Sequence, residues 1–107
     1  MILGCERAIK LTLPAARASV AKRLKETYGM NQSEIAKSLG VAQAAVSKYL
    51  KSSYSDRVKK IEDAIKRAGL DKPAALAISK SDSRQSIRIL DGLASNDSIV
   101  KMAMALA

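Results

Sequence analysis

Residues 31–50, NQSEIAKSLGVAQAAVSKYL, have the pattern of two short helices joined by a tight turn. Asn31 and Glu34 have the spacing of a capping box, in which the two residues satisfy each other's backbone N–H groups at a helix start. Gly40 follows the first apolar run, at a point where a left-handed backbone conformation ends a helix at low cost. The predicted helices cover residues 32–39 and about 43–51.

The apolar residues of this stretch indicate how the two helices pack. Ile35 and Leu39 lie on one face of the first helix. Val46 and Leu50 are spaced to point inward from the second helix. Ala36 is small, as two steeply crossing helices require where their backbones approach. A small residue, a turn glycine, an apolar residue after it and an inward valine follow in the order of a helix-turn-helix.

The stretch resembles the helix-turn-helix of the phage-repressor and Cro-like family of DNA-binding regulators. The residues that carry this resemblance are Gln32, Ala36, Gly40, Val41 and Val46. More narrowly, the run from Cys5 through Leu13-Pro14-Ala15 to Leu50 is similar to a set of small archaeal regulators. Some members of that set also carry a ligand-sensing domain related to thiamine phosphate synthesis. The second half of this chain resembles no such domain, so the effector ligand is unknown.

The resemblance implies that the second helix enters the major groove of double-stranded DNA. Gln43 opens that helix, and a glutamine can pair with N6 and N7 of adenine, with a discrimination of about 1–3 kcal/mol. The other residues expected to reach base edges are Ala44, Ser47 and Lys48, of which the last two can also reach phosphates. The residues expected to contact the DNA backbone are Gln32, Lys51, Ser52 and Ser53.

Three alanines depart from the family pattern, which often has Ser or Thr at positions 42, 44 and 45. Ala42 offers no side-chain oxygen to cap the second helix. The substitutions also leave fewer polar base readers, although Ala44 and Ala45 can touch a thymine methyl group. We therefore expect DNA binding with less sharp sequence specificity.

The composition fits a helical protein with a polyanionic partner. Hydrophobic residues make up 48% of the chain, which excludes disorder, and the absence of Phe and Trp favours packed helices over a sandwich or barrel. The net charge is +9 and is unevenly distributed. Residues 1–67 contain 14 Lys and Arg against 6 Asp and Glu, whereas residues 68–107 contain 5 against 4. The positive charge therefore lies with the helix-turn-helix, as phosphate contacts require.

The residues that are missing argue against an enzyme. The chain has no His and a single cysteine, Cys5, which we interpret as a small buried hydrophobic residue. It therefore lacks the commonest general base and metal ligand, and one cysteine builds neither an internal disulfide nor a zinc site. No phosphate-binding loop or nucleophile elbow occurs. We expect no catalysis, cofactor or metal, and a cytoplasmic, nucleoid-associated protein, since no signal peptide or membrane span is recognisable.

The residues before the motif predict two elements. Residues 5–13 have the pattern of a short helix or extended arm, and Pro14 suits the first turn of a new helix that ends before Gly29. The apolar stripe of this second helix comprises Ala16, Val20, Ala21, Leu24 and Tyr28. The basic residues off the stripe, which we interpret as solvated, are Arg17, Lys22, Arg23 and Lys25.

The residues after the motif predict four more helices, over about 56–68, 71–80 and 83–93 and from residue 96 or 97 onward. The first of these would complete a four-helix core. We therefore divide the chain into a helix-turn-helix DNA-binding domain, 1–69, and a C-terminal helical extension, 70–107. The predicted fold is all-α, a repressor-like bundle of four to five helices with this extension.

The last segment carries more apolar residues than one face of an exposed helix needs. It either completes the core of its own chain or packs against a second copy. The dimer is favoured, because regulators of this type commonly bind DNA as two-fold dimers. The predicted dimer interface consists of Ile99, Val100, Met102, Met104 and Leu106.

The sequence thus predicts a homodimeric transcriptional regulator that binds double-stranded DNA. The alternative from another class is a protein-interaction module, of the antitoxin or coactivator kind, with only non-specific DNA binding. RNA binding is less favoured because no aromatic stacking platform is present. A hydrolase or synthase is disfavoured by the absence of His.

Overall fold

Helices account for every regular element in a computed structural model of the protein. The structure describes the backbone of residues 2–80 and 83–106, and the side chains of residues 10–80 and 84–106. These ranges contain seven α-helices and no strand, so the predicted all-α class is confirmed. The helices are α1 (Ile2–Tyr28), α2 (Gln32–Leu39), α3 (Gln43–Leu50), α4 (Asp56–Arg67), α5 (Asp71–Ser79), α6 (Ser83–Ala94) and α7 (Asp97–Leu106).

The first helix is continuous through Pro14, where the sequence predicted a boundary. That prediction was wrong. A proline inside a helix removes one backbone hydrogen bond and costs about 3 kcal/mol. The helix nevertheless continues, because α1 packs against each of the six other helices in the described chain. Burial on this scale outweighs the local penalty.

The middle of α1 is buried all the way round. Its fully buried residues are Thr12, Ala15, Ala16, Ala18, Ser19, Val20, Ala21 and Leu24. Most of these side chains are small, so neighbouring helices can approach the α1 backbone closely. The predicted stripe identified half of this set but also included Tyr28, which is 38% exposed. A single stripe is therefore too narrow a description of a central helix.

The two helices of the 31–50 stretch form with the predicted caps. Asn31 Oδ1 accepts a hydrogen bond from the Glu34 backbone N–H (2.8 Å), and Glu34 Oε1 accepts one from the Asn31 N–H (3.1 Å). Gly40 has φ +69° and ends α2, and the Val41 N–H then donates to the Ala36 carbonyl oxygen (3.1 Å). These bonds satisfy backbone groups at both ends of α2.

One hydrophobic cluster includes residues from all seven helices. Residues on both sides of position 69 belong to it, among them Ile61 of α4, Ile78 of α5, Leu90 of α6 and Ile99 of α7. Leu76 of α5 and Ile87 of α6 are apolar residues outside this cluster, with exposed fractions of 46% and 49%. No helix among those described has the length and hydropathy that a membrane span requires.

Candidate nucleic-acid interface

Helix α3 turns one face to the core and the other to solvent. Val46 is fully buried, whereas Gln43, Ala44 and Lys48 are exposed and Ser47 is half-buried. The residues predicted to read bases therefore lie on the outward side of this helix. The N-cap residue, Ala42, makes no side-chain hydrogen bond, as its lack of a polar atom predicts. The Ala42 carbonyl oxygen accepts a hydrogen bond from the Ala45 N–H (3.0 Å) in this first turn.

The residues predicted to contact phosphates are in two places. Gln32 is half-buried at the first position of α2, and Lys51 and Ser53 are exposed just after α3. Ser52 differs from these, because its Oγ already accepts a hydrogen bond from Lys22 Nζ at 2.6 Å. Its hydroxyl is therefore engaged within the chain.

The segment after α3 ends the helix with a left-handed residue that is not glycine. Ser52 has φ +56°, and its N–H donates to the Tyr49 carbonyl oxygen (3.2 Å). The Ser53 N–H donates to the Lys48 carbonyl oxygen (2.9 Å). This pair of bonds is a Schellman motif, in which Gly normally takes the left-handed position. A non-glycine residue there costs on the order of 1 kcal/mol, so other contacts must hold the loop.

A polar cluster around the buried Glu62 provides those contacts. We call Lys22, Ser52, Tyr54, Glu62 and Lys66 the Lys22 cluster. Lys22 Nζ lies 2.7 Å from Glu62 Oε2 and also donates to Tyr54 Oη at 3.0 Å. The Tyr54 hydroxyl in turn donates to Glu62 Oε1. Lys66 Nζ lies 3.3 Å from Glu62 Oε2. The cluster thus joins α1, α4 and the loop between α3 and α4.

The cluster keeps Glu62 ionised although it is buried. Burial by itself would raise the pKa of Glu62, but hydrogen bonds from Lys22 and Tyr54 and the charges of Lys22 and Lys66 outweigh it, so the pKa lies below its ordinary value. Burial would lower the pKa of Lys22, yet its bonds to Glu62 and Tyr54 raise it. Burial and the bond to Glu62 raise the pKa of Tyr54. Near neutral pH the cluster is an ion pair with a neutral tyrosine.

Arg23, the next residue on α1, makes a second buried ion pair. Its Nε and Nη2 both donate to Asp71 Oδ2, at 3.1 and 3.0 Å. Asp71 is buried at the first position of α5, and its Oδ1 has no hydrogen-bond partner among the described residues.

Both Lys22 and Arg23 were predicted to be solvated, and for both the prediction was wrong, because each pairs with a buried acid. The sequence contains a pattern that could have predicted the ion pair of Lys22. Glu62 falls on the apolar spacing of α4, four residues after Val58 and three before Ile65, so a charge there needs a buried partner.

An open groove of about 500 Å³ lies beside the C-terminal end of α3. It is lined by Lys22, Lys25, Glu26, Leu50, Ser52 and Lys66. Basic side chains thus continue from the loop after α3 onto α1 and α4. Within the described residues, no group of three or more His, Cys, Asp or Glu is placed to hold a metal ion.

The residues predicted to form a dimer interface are only partly available for one. Ile99 is buried in the core of its own chain. It therefore helps to complete that core and is not available to a dimer interface. Val100 and Leu106 are half-buried against the same core, and Met102 is half-buried. Met104 is 44% exposed. The side chain of Cys5 lies outside the described residues, so its predicted burial stays a prediction.

Comparison of the chain with protein-family models, with curated proteins and with solved structures finds no match.

Proposed function

We propose that the protein is a DNA-binding regulator that inserts α3 into the major groove of double-stranded DNA. The main support for the proposal is that one face of α3 is buried and the opposite face is exposed. Val46 faces the core, while Gln43, Ala44 and Lys48 face solvent. Helix α2 and the left-handed Gly40 fix the start of α3 against the body of the protein. A helix held in this way can enter a groove without rearrangement of the core.

The dimensions and charge of this region support the same function. An α-helix with its side chains is about 10–12 Å across, and the major groove is about 12 Å wide, so a helix such as α3 fits the groove. The chain carries a net charge of +9, and Lys48 and Lys51 are both exposed on or next to α3. In this proposal Gln43, Ala44, Ser47 and Lys48 face base edges, and Gln32, Lys51 and Ser53 contact phosphates.

We also propose that the protein binds as a homodimer. The support is the exposed Met104, flanked by the half-buried Met102 and Leu106, on the last helix. A two-fold dimer would place two copies of α3 one helical turn of DNA apart. Ile99, which is buried, is left out of this interface.

The test is selection of duplexes from a random pool by the purified protein, followed by a salt series. We expect enrichment of a short motif, with two-fold symmetry if the dimer forms, and binding that weakens steeply with salt. Gln43→Ala should relax one base position by about tenfold, since a bidentate base contact contributes about 1–3 kcal/mol. Gln85→Ala, at an exposed position on α6, is the matched control and should leave the motif unchanged.

Weak binding that is indifferent to sequence, in the wild type and in Gln43→Ala alike, would overturn the proposal. The protein-interaction module would then be favoured, with its partner sought by substitution of Met104 and other exposed apolar residues.

A further inference from the structure

The loop between α3 and α4 carries two of the residues assigned to DNA phosphates, Lys51 and Ser53. It contains the left-handed Ser52, so its conformation is not the one the backbone prefers on its own. One side chain from another helix reaches into it. Lys22 of α1 bonds both Ser52 and Tyr54 of the loop, at 2.6 and 3.0 Å.

Lys22 is fully engaged in these contacts. A lysine ammonium has three N–H donors. Nζ donates hydrogen bonds to Ser52 Oγ and Tyr54 Oη, at 2.6 and 3.0 Å, and forms an ion pair with Glu62 Oε2 at 2.7 Å. The Lys22 side chain is also only 16% exposed, and its Nζ lies 5.6 Å from the centre of the Tyr54 ring. Nζ thus faces three partners within the chain, so we expect an effect of Lys22 on DNA binding to pass through the loop.

We propose that Lys22 is a positioning residue, which holds the loop over residues 51–54 in the conformation that presents Lys51 and Ser53 to the DNA backbone. This inference rests on the proposed function. Glu62 anchors Lys22 from α4, and Tyr54 bonds both, so the loop is ordered before DNA arrives. A loop ordered in advance avoids the entropy cost of ordering on binding. Because that cost does not depend on the base sequence, Lys22 should affect all duplexes equally.

The chain offers a matched control in the adjacent residue. Lys22→Met and Arg23→Met each remove a cation of α1 that pairs with a buried acid, but Arg23 bonds α5 and not the loop. We expect Lys22→Met to weaken binding by about tenfold on selected and unrelated duplexes alike, the loss of about one charge-assisted hydrogen bond. The base preference at the Gln43 position should not change. Arg23→Met should alter affinity by less than about twofold once both variants are measured fully folded.

A second readout needs no DNA. The Ser53 amide, which donates to the Lys48 carbonyl oxygen, reports the loop through its hydrogen exchange in the free protein. We expect this exchange to be about tenfold faster in Lys22→Met and unchanged in Arg23→Met. If the wild type binds no duplex, the proposed function fails, and the exchange rate still decides whether Lys22 holds the loop.

Ser52→Ala covers the case in which Lys22→Met does not fold. It removes one acceptor of Lys22 and leaves every charge in place, so the fold should persist. We expect about threefold weaker binding and faster Ser53 exchange, in the same direction as Lys22→Met. The inference is overturned if Lys22→Met and Arg23→Met weaken binding equally, if base preference changes in Lys22→Met, or if Ser53 exchange is the same in all variants.

Discussion

Lys22 and Arg23 are neighbours on α1 and make similar bonds, yet they hold different parts of the molecule. Lys22 pairs with Glu62 at 2.7 Å and joins α1 to α4 and to the loop after α3. Arg23 pairs with Asp71 at 3.0 Å and joins α1 to the start of α5. One pair therefore adjoins the proposed DNA interface, and the other supports the C-terminal part of the core.

The two acids also differ in how completely they are satisfied. Both oxygens of Glu62 have a close contact: the Tyr54 hydroxyl donates to Oε1, and the Lys22 and Lys66 ammonium groups lie 2.7 and 3.3 Å from Oε2 as ion pairs without hydrogen-bond geometry. Asp71 accepts both Arg23 hydrogen bonds on Oδ2, and its Oδ1 has no hydrogen-bond partner in the part of the chain that the structure describes. A buried network in which each member is bonded stabilises more than one that is partly satisfied. Two ion pairs of similar length, 2.7 and 3.0 Å, therefore need not contribute equally to stability.

The largest expected difference in the free energy of unfolding is between two variants, each of which lacks one of the two acids. Glu62→Ala leaves Lys22 with no counterion in a nearly buried position, which we expect to cost about 3 kcal/mol or more in the free energy of unfolding. Asp71→Ala should cost about half as much, because Arg23 is 28% exposed and can turn to water. Urea denaturation of both variants measures the difference. Equal losses, or a larger loss for Asp71→Ala, would contradict this ranking.

Stability should depend on pH through the Lys22 cluster. The pKa of Glu62 is lowered on folding from an ordinary value of 4.5, so its contribution is present above about pH 4.5 and is lost as pH falls through the folded pKa. The pKa of Lys22 is raised from 10.5, so its contribution is lost only as pH rises above that value. Unfolding measured from pH 2 to 8 should show an acid limb that Glu62→Gln flattens. Asp63→Asn, on the exposed side of α4, is the control and should keep the wild-type profile.

The smallest changes in the free energy of unfolding are expected when the exposed cations of the two α4 ion pairs are removed. Lys66 pairs with the buried Glu62, whereas Arg67 pairs with the exposed Asp63 and is itself 80% exposed. We expect Lys66→Ala to cost about 0.5 kcal/mol, and Arg67→Ala to cost close to none beyond helix propensity. Thermal unfolding at low and high salt measures both. A larger loss for Arg67→Ala would mean that burial of the acid does not set the strength of these pairs.

Much of the local structure was predictable from sequence. The capping box of Asn31 and Glu34, the turn at Gly40 and the inward Val46 were predicted from spacing alone, and the structure confirms each. Helix starts near residues 56 and 96 were also predicted, and the side chains of Ser55 and Asn96 accept hydrogen bonds there. These features depend on residues within a few positions of each other, where sequence spacing already fixes the geometry.

The outward position of Gln43 and Lys48 was predictable from local sequence spacing as well. Both follow from the inward position of Val46 on a regular helix, and both side chains are exposed. The partners of Lys22 could not be read in this way. Ser52 and Glu62 lie thirty and forty residues along the chain from it, and only folding brings them together.

The sequence by itself determined the all-α class, the helix bounds around the 31–50 stretch and the exposed face of α3, because local hydrogen bonds and periodicity set them. Tertiary structure alone decided that α1 continues through Pro14, that Lys22 and Arg23 are paired and that Ile99 enters the core. Each of these depends on burial against distant helices, whose free energy exceeds the local preference.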